Sequence, residues 1–170
     1  MMTFDDAFAR LIGHEGKYTD DPRDPGNWTS GQVKVGELKG TKFGIAANTY
    51  GYLDIKNLTL DEAKEIYRRD FWDVIGQAHP SIKFQLFDAA VNHGRGNAIR
   101  ILQRAVKVAD DGAWQKVSQA ALDAMDTNDV LLRFIAYRLK FWATLQKFDT
   151  YGRGWTIRGA DNLLYAAEDN

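Results

Sequence analysis

Glu15 lies eleven positions after Phe4, in the helical stripe shared by Phe8 and Leu11. An apolar stripe and the C-terminal end of a helix both favour the protonated form of a carboxyl group, so Glu15 is placed to donate a proton. Nine residues on, Asp24 stands in an acidic turn, Asp20-Asp21-Pro22-Arg23-Asp24-Pro25-Gly26-Asn27, and Thr41 precedes Lys42-Phe43-Gly44. A protonated acid, a second carboxylate and a hydroxyl that can orient water form the set that glycoside hydrolysis uses. Plainer readings stay open. A helix that frays after Gly13 would leave Glu15 as a solvated end residue, and Asp20, Asp21 and Asp24 are all good turn formers.

These groups must be held by a small, mostly helical framework. The chain has 170 residues, 45% hydrophobic and 12% aromatic, which is enough for one domain with its own core. Thr3 and Asp6 form a capping-box pair at the start of a first helix that the spacing carries to about Gly16. Between Tyr18 and Gly44 a loop rich in turn residues leads into short alternation, Gln32-Val33-Lys34-Val35-Gly36-Glu37-Leu38-Lys39-Gly40, which predicts a small β-hairpin. Further helices are predicted from a Thr59/Glu62 capping box to about Asp70, from Ser81 to the glycine after His93, and over about 97–108, 118–125 and 128–148. The fold class is therefore α+β, predominantly helical. One domain, residues 1–170, is expected to have two lobes: 1–70 carrying the chemistry and the hairpin, and 71–170 helical.

With no cysteine and three scattered histidines, neither a thiolate-held zinc nor an H-E-x-x-H site is expected, and no cofactor is called for. A formal net charge of −1 argues against general nucleic-acid binding. The charge is uneven: six acids face three bases in the first thirty residues, whereas 129–158 holds six bases and two acids. No signal-peptide pattern or membrane-spanning run is visible, so synthesis in the cytoplasm is expected, with any substrate beyond the membrane reached through a separate pore.

The motifs Glu15-Gly16-Lys17-Tyr18, Asp20 to Asn27 and Thr41-Lys42-Phe43-Gly44-Ile45 resemble the muramidase endolysins of glycoside hydrolase family 108. Lys17 and Asn27 depart from that pattern where it has glycine, and an insertion precedes Thr41. The order glutamate, aspartate at nine residues, then threonine before a glycine also resembles phage-type lysozymes. The resemblance implies a lysozyme-like fold with the hairpin beside a catalytic cleft. It makes Glu15 the acid, Asp24 the base or stabiliser and Thr41 the water-positioning residue, with Tyr18, Gly44 and Asn92 at the substrate. It further implies cleavage of the β-1,4 bond between N-acetylmuramic acid and N-acetylglucosamine in bacterial peptidoglycan after holin-type release.

Phe87 to Gly94, Ala98 to Gln103 and Asp111-Gly112 resemble the peptidoglycan-binding region that accompanies this family. The basic run from Leu131 to Phe148 offers Arg133, Arg138, Lys140 and Lys147 for contact with an anionic wall or, weakly, a membrane surface, although such a stripe also reads as a core helix. A monomer is expected. Two other functions fit the same residues: a lytic transglycosylase, which needs the glutamate without a water activator, and a non-catalytic wall-binding or membrane-permeabilising protein.

Overall fold

The computed structural model describes residues 2–13 and 17–170. Glu15, with His14 and Gly16, lies outside the described residues, as does its expected place in the stripe of Phe8 and Leu11. The chain divides into two compact units, 8–70 and 1–7 with 71–170, so the divisions fall inside the first helix and inside a π-helical turn, Arg68–Trp72.

Helix α1 (Phe4–Ile12) opens with the predicted capping box. Asp6 Oδ2 accepts from the Thr3 backbone N–H at 2.9 Å, and Thr3 Oγ1 accepts from the Asp6 N–H at 3.2 Å. The helix ends earlier than the spacing predicts, because Gly13 takes φ +56°, the left-handed conformation that stops a helix.

In the unit 8–70, a 3-10 turn (Pro25–Asn27) leads through irregular backbone to strands β1 (Thr41–Lys42) and β2 (Ile45–Ala46), which pair Thr41 with Ala46 and Lys42 with Ile45. The hairpin thus lies after the alternating run that predicted it. Within that run Lys34, Gly36 and Gly40 all have positive φ, which breaks an extended strand, and pairing is reduced to a single bridge between Trp28 and Leu38. The turn of the observed hairpin is Phe43-Gly44, with φ of +51° and +76°, the double positive φ that a two-residue hairpin of this twist requires. Helices α2 (Ala47–Tyr50) and α3 (Leu60–Tyr67) follow, α3 with its full Thr59/Glu62 capping box.

The other unit is all helix: α4 (Pro80–His93), α5 (Arg95–Ala105), α6 (Lys116–Asp123), α7 (Thr127–Ala143) and α8 (Phe148–Glu168). Nearly every side chain of α4 from Ser81 to Ala90 is buried, so it is the central helix, with α5, α7 and α8 packed around it. Its core joins Leu86, Ala90, Ile101, Leu102, Val130, Phe134 and Ile135. Gln103 braces the Asp111-Gly112 loop: its amide nitrogen donates to Asp111 Oδ1 at 2.7 Å, and its amide oxygen accepts from the Gly112 N–H at 2.9 Å.

A polar cluster lies inside this apolar packing. Asp88 on α4 pairs with Arg138 on α7 at 2.5 Å and with Arg158 on α8 at 2.6 Å. Burial alone would push the Asp88 carboxyl up, but the two guanidinium groups together hold it below the usual carboxylate range. Arg138 is 1% exposed and cannot reach a wall or membrane, which corrects its placement among the surface bases. Desolvating it is tolerated because Asp88 compensates its charge.

Candidate active site

The site residues predicted between Tyr18 and Gly44 belong to the unit 8–70, where Asn27 ties their segments together. Asn27 is completely buried. Its backbone carbonyl accepts from the N–H groups of Lys39 and Gly40, both at 3.0 Å, and its side-chain nitrogen donates to the Asp21 carbonyl at 3.1 Å. Its side-chain oxygen accepts the hydroxyl proton of Thr41 at 2.7 Å. Donating that proton leaves the lone pairs of Thr41 Oγ1 as acceptors, the arrangement needed to hold a water by one of its hydrogens. Thr41 is further fixed by exchanging both backbone hydrogen bonds with Thr19, at 2.9 and 2.8 Å.

Asp24 caps the 3-10 turn, its Oδ1 accepting from the Gly26 N–H at 2.9 Å. The carboxylate is exposed and one oxygen is used in the turn, so the turn-forming reading of Asp24 is realised whether or not it also does chemistry. Asp21 is engaged differently. Arg23 grips both of its oxygens, at 2.7 to 3.2 Å, and those hydrogen bonds bring its carboxyl down to about 2. A carboxylate held this strongly ionised is a poor proton donor.

Tyr18 lines an open cleft of about 390 Å³ with Leu38, Lys39, Tyr52, Asp54 and Lys56. Its ring sits so close to the backbone at Gly40 that a Cβ there would fall 2.6 Å from Tyr18 Cε2, which is why a glycine is required. Burial and the neighbouring Asp20 push the Tyr18 phenol up, so it stays a neutral donor. Gly44 has a comparable constraint: a Cβ would collide with the Tyr67 hydroxyl, which donates to the Phe43 carbonyl at 3.1 Å.

Asn92 lies in the other unit, exposed in the last turn of α4, with its side-chain nitrogen donating to the Asp88 carbonyl at 2.7 Å. Of the predicted surface bases, Lys140 and Lys147 are exposed and Arg133 is half-buried. Asn27 was visible in the sequence only as a departure from a glycine-rich turn. Its bridging role comes from tertiary contact with residues up to 14 positions away. Among the described residues no cluster of histidine, aspartate and glutamate could hold a metal ion.

The fold is lysozyme-like. It superposes on the structure of Brucella abortus SagA with a TM-score of 0.81 at 26% identity, over 98% of this chain and 94% of that one. Residues 8–94 match the model described as Glycosyl hydrolase 108, and the chain belongs to that family of glycoside hydrolases. Family and fold together support peptidoglycan as the substrate class. No curated protein matches the chain.

Proposed function

We propose that this chain is a muramidase of the endolysin type, cutting the β-1,4 bond between N-acetylmuramic acid and N-acetylglucosamine in peptidoglycan. Glu15 donates the proton to the leaving oxygen, Asp24 stabilises the cationic transition state or serves as base, and Thr41 orients the attacking water. The observation that carries this reading is the Thr41 to Asn27 hydrogen bond: it leaves Thr41 Oγ1 as a fixed acceptor in the same braced loop system as Asp24. In this reading Tyr18 and Gly44 are the substrate contacts of the unit 8–70, and Asn92 is proposed separately as a glycan contact of the helical unit. Residues 1–70 carry the chemistry and 71–170 add hold on the wall, helped by Arg133, Lys140 and Lys147. A phage origin and holin-type release belong to this reading as proposals.

The decisive measurement is reducing-end release from purified peptidoglycan, with mass spectrometry of the products. Wild type should give reducing muramic ends, and Glu15→Gln should lose about 10²–10⁴-fold in rate. Anhydro-muramic ends would instead establish a lytic transglycosylase, and full lysis by Glu15→Gln would establish a non-catalytic protein.

A further inference from the structure

Helix α8 turns its bulk the wrong way for a surface helix. Its buried positions are Gly152, Gly159, Asn162 and Ala166, whereas Ile157, Leu163 and Leu164 are 54%, 41% and 62% exposed. Ile157, Ala160, Leu164 and Ala167, all exposed, follow one another at steps of three, four and three residues, the spacing of a helix-packing seam. On α7, Leu132, Ala136, Leu139 and Ala143 are likewise exposed at steps of four, three and four, away from the stripe that α7 buries in the core. The two seams adjoin, since a Cβ on Gly159 would lie 2.8 Å from Leu139 Cδ2. Together they make a continuous apolar face on one antiparallel helix pair, a surface that monomers rarely leave uncovered.

We propose that this face is the interface of a homodimer, in which α7 of each copy packs on α8 of its partner as an antiparallel four-helix arrangement. The charges at its edges select this occupant. By helical spacing, the edge beyond the α7 seam carries Arg133 and Lys140 with Asp129 one turn before Arg133, a net basic edge, and the edge beyond the α8 seam carries Asp161 and Glu168. A two-fold axis parallel to the helices lays the basic edge of one copy along the acidic edge of the other. The Leu139 to Gly159 contact sets the level, bringing Lys140 within about one turn of the partner's Asp161. A two-fold axis across the helices would set base against base. An anionic membrane would match the basic edge but would repel the acidic one. Alternating leucine and alanine supplies knobs and holes for another helix of the same kind. A homodimer departs from the sequence-based expectation of a monomer, and the experiment below decides between the two.

Sedimentation velocity of the full chain from about 1 to about 100 µM tests this, a range suited to an interface of modest size. Wild type should shift from monomer to dimer with rising concentration. Ile157→Glu with Leu164→Glu should raise the dissociation constant at least about a hundredfold and, at concentrations where wild type is itself monomeric, should leave the melting temperature unchanged, because both side chains face solvent in the isolated chain. Lys140→Glu should weaken association about tenfold, and adding Asp161→Lys should restore it. A wild type that stays monomeric throughout overturns the proposal, as does a dimer indifferent to the two glutamates. A monomer that binds phosphatidylglycerol vesicles through Ile157 and Leu164 assigns the face to membrane instead. Failure of Asp161→Lys to rescue Lys140→Glu overturns the α7-on-α8 arrangement. None of these outcomes depends on glycosidase activity, so they are separable from a failure of the muramidase reading.

Discussion

Thr41 gives its hydroxyl proton to the side-chain oxygen of Asn27 across 2.7 Å, and Asn27 has no access to solvent. The direction of that bond follows from the remaining bonds of Asn27: its side-chain nitrogen already donates to the Asp21 carbonyl, so its oxygen must accept. If Thr41 positions water, its orientation depends on Asn27. Thr41→Val should lower kcat by about a hundredfold with little change in KM, the usual effect of misplacing a reacting group, while Thr41→Ser stays near wild type. Asn27→Ala should show the same kcat loss and also destabilise by about 1–3 kcal/mol, since it leaves buried partners unpaired. Steady-state kinetics on purified wall with thermal melts of the three variants check this. Wild-type turnover by Thr41→Val would remove the hydroxyl from the mechanism.

The acids of the turn can be separated because their structural duties differ. Asp24 uses one oxygen to accept from Gly26, a bond that an asparagine side chain also makes, so Asp24→Asn should keep the turn. A large rate loss in Asp24→Asn at unchanged melting temperature is therefore a loss of charge at the site, and a fall of at least about a hundredfold is expected. Asp20→Asn should change the rate little. Asp21→Asn breaks the grip of Arg23 at a partly exposed position and should likewise leave turnover near wild type. Equal, mild effects at all three would leave Asp24 as a turn former only.

Much of this framework was readable in the chain, and the failures have physical causes. Both capping boxes, Thr3/Asp6 and Thr59/Glu62, stand where local spacing put them, because a cap is decided by residues three apart. Helix α8 went unpredicted because Gly152, Gly154 and Gly159 oppose helix locally. Tertiary packing reverses that preference: Gly159 admits Leu139 and Trp142 where a side chain would clash. The hairpin was expected one segment early because alternation alone does not report the positive φ of Lys34, Gly36 and Gly40. Arg138 looked like a surface base since its partner Asp88 lies 50 residues away.

Gly44 joins hairpin geometry to α3. Its φ of +76° and the collision of any Cβ with the Tyr67 hydroxyl are separate penalties. Gly44→Ala should cost about 2–4 kcal/mol, combining left-handed strain with the steric clash. In Tyr67→Phe the clash is relieved but the strain is not, so Gly44→Ala in that background should cost about 1–2 kcal/mol. Denaturant melts of the four proteins in this cycle give the coupling. Strict additivity would show that the hydroxyl moves aside without cost.

His93 gives the helical unit a pH dependence of its own. Its Nε2 accepts from Arg138 Nε and from Trp142 Nε1, both at 3.0 Å, so that nitrogen cannot carry a proton without losing both bonds. Burial, reinforced by the charge of Arg138, brings the ring down to about 4. The unfolded chain titrates near 6.5, so as pH falls from about 6.5 to about 4 the unfolded state binds a proton that the folded state refuses. The stability that depends on neutral His93 is fully present above about pH 6.5 and is lost progressively down to about pH 4, at most about 3 kcal/mol. His93→Gln offers a side-chain oxygen to the same two donors but does not titrate, so its stability should be nearly flat across that interval where wild type declines. Asp88 and Asp21 lose their own contributions only at lower pH, because both are held below the usual carboxylate range. Urea unfolding of wild type and His93→Gln at about one-unit pH steps between about 7 and 4 is the measurement. Parallel declines in the two proteins would mean that His93 is protonated in the folded state and that the Arg138 and Trp142 contacts do not hold in solution.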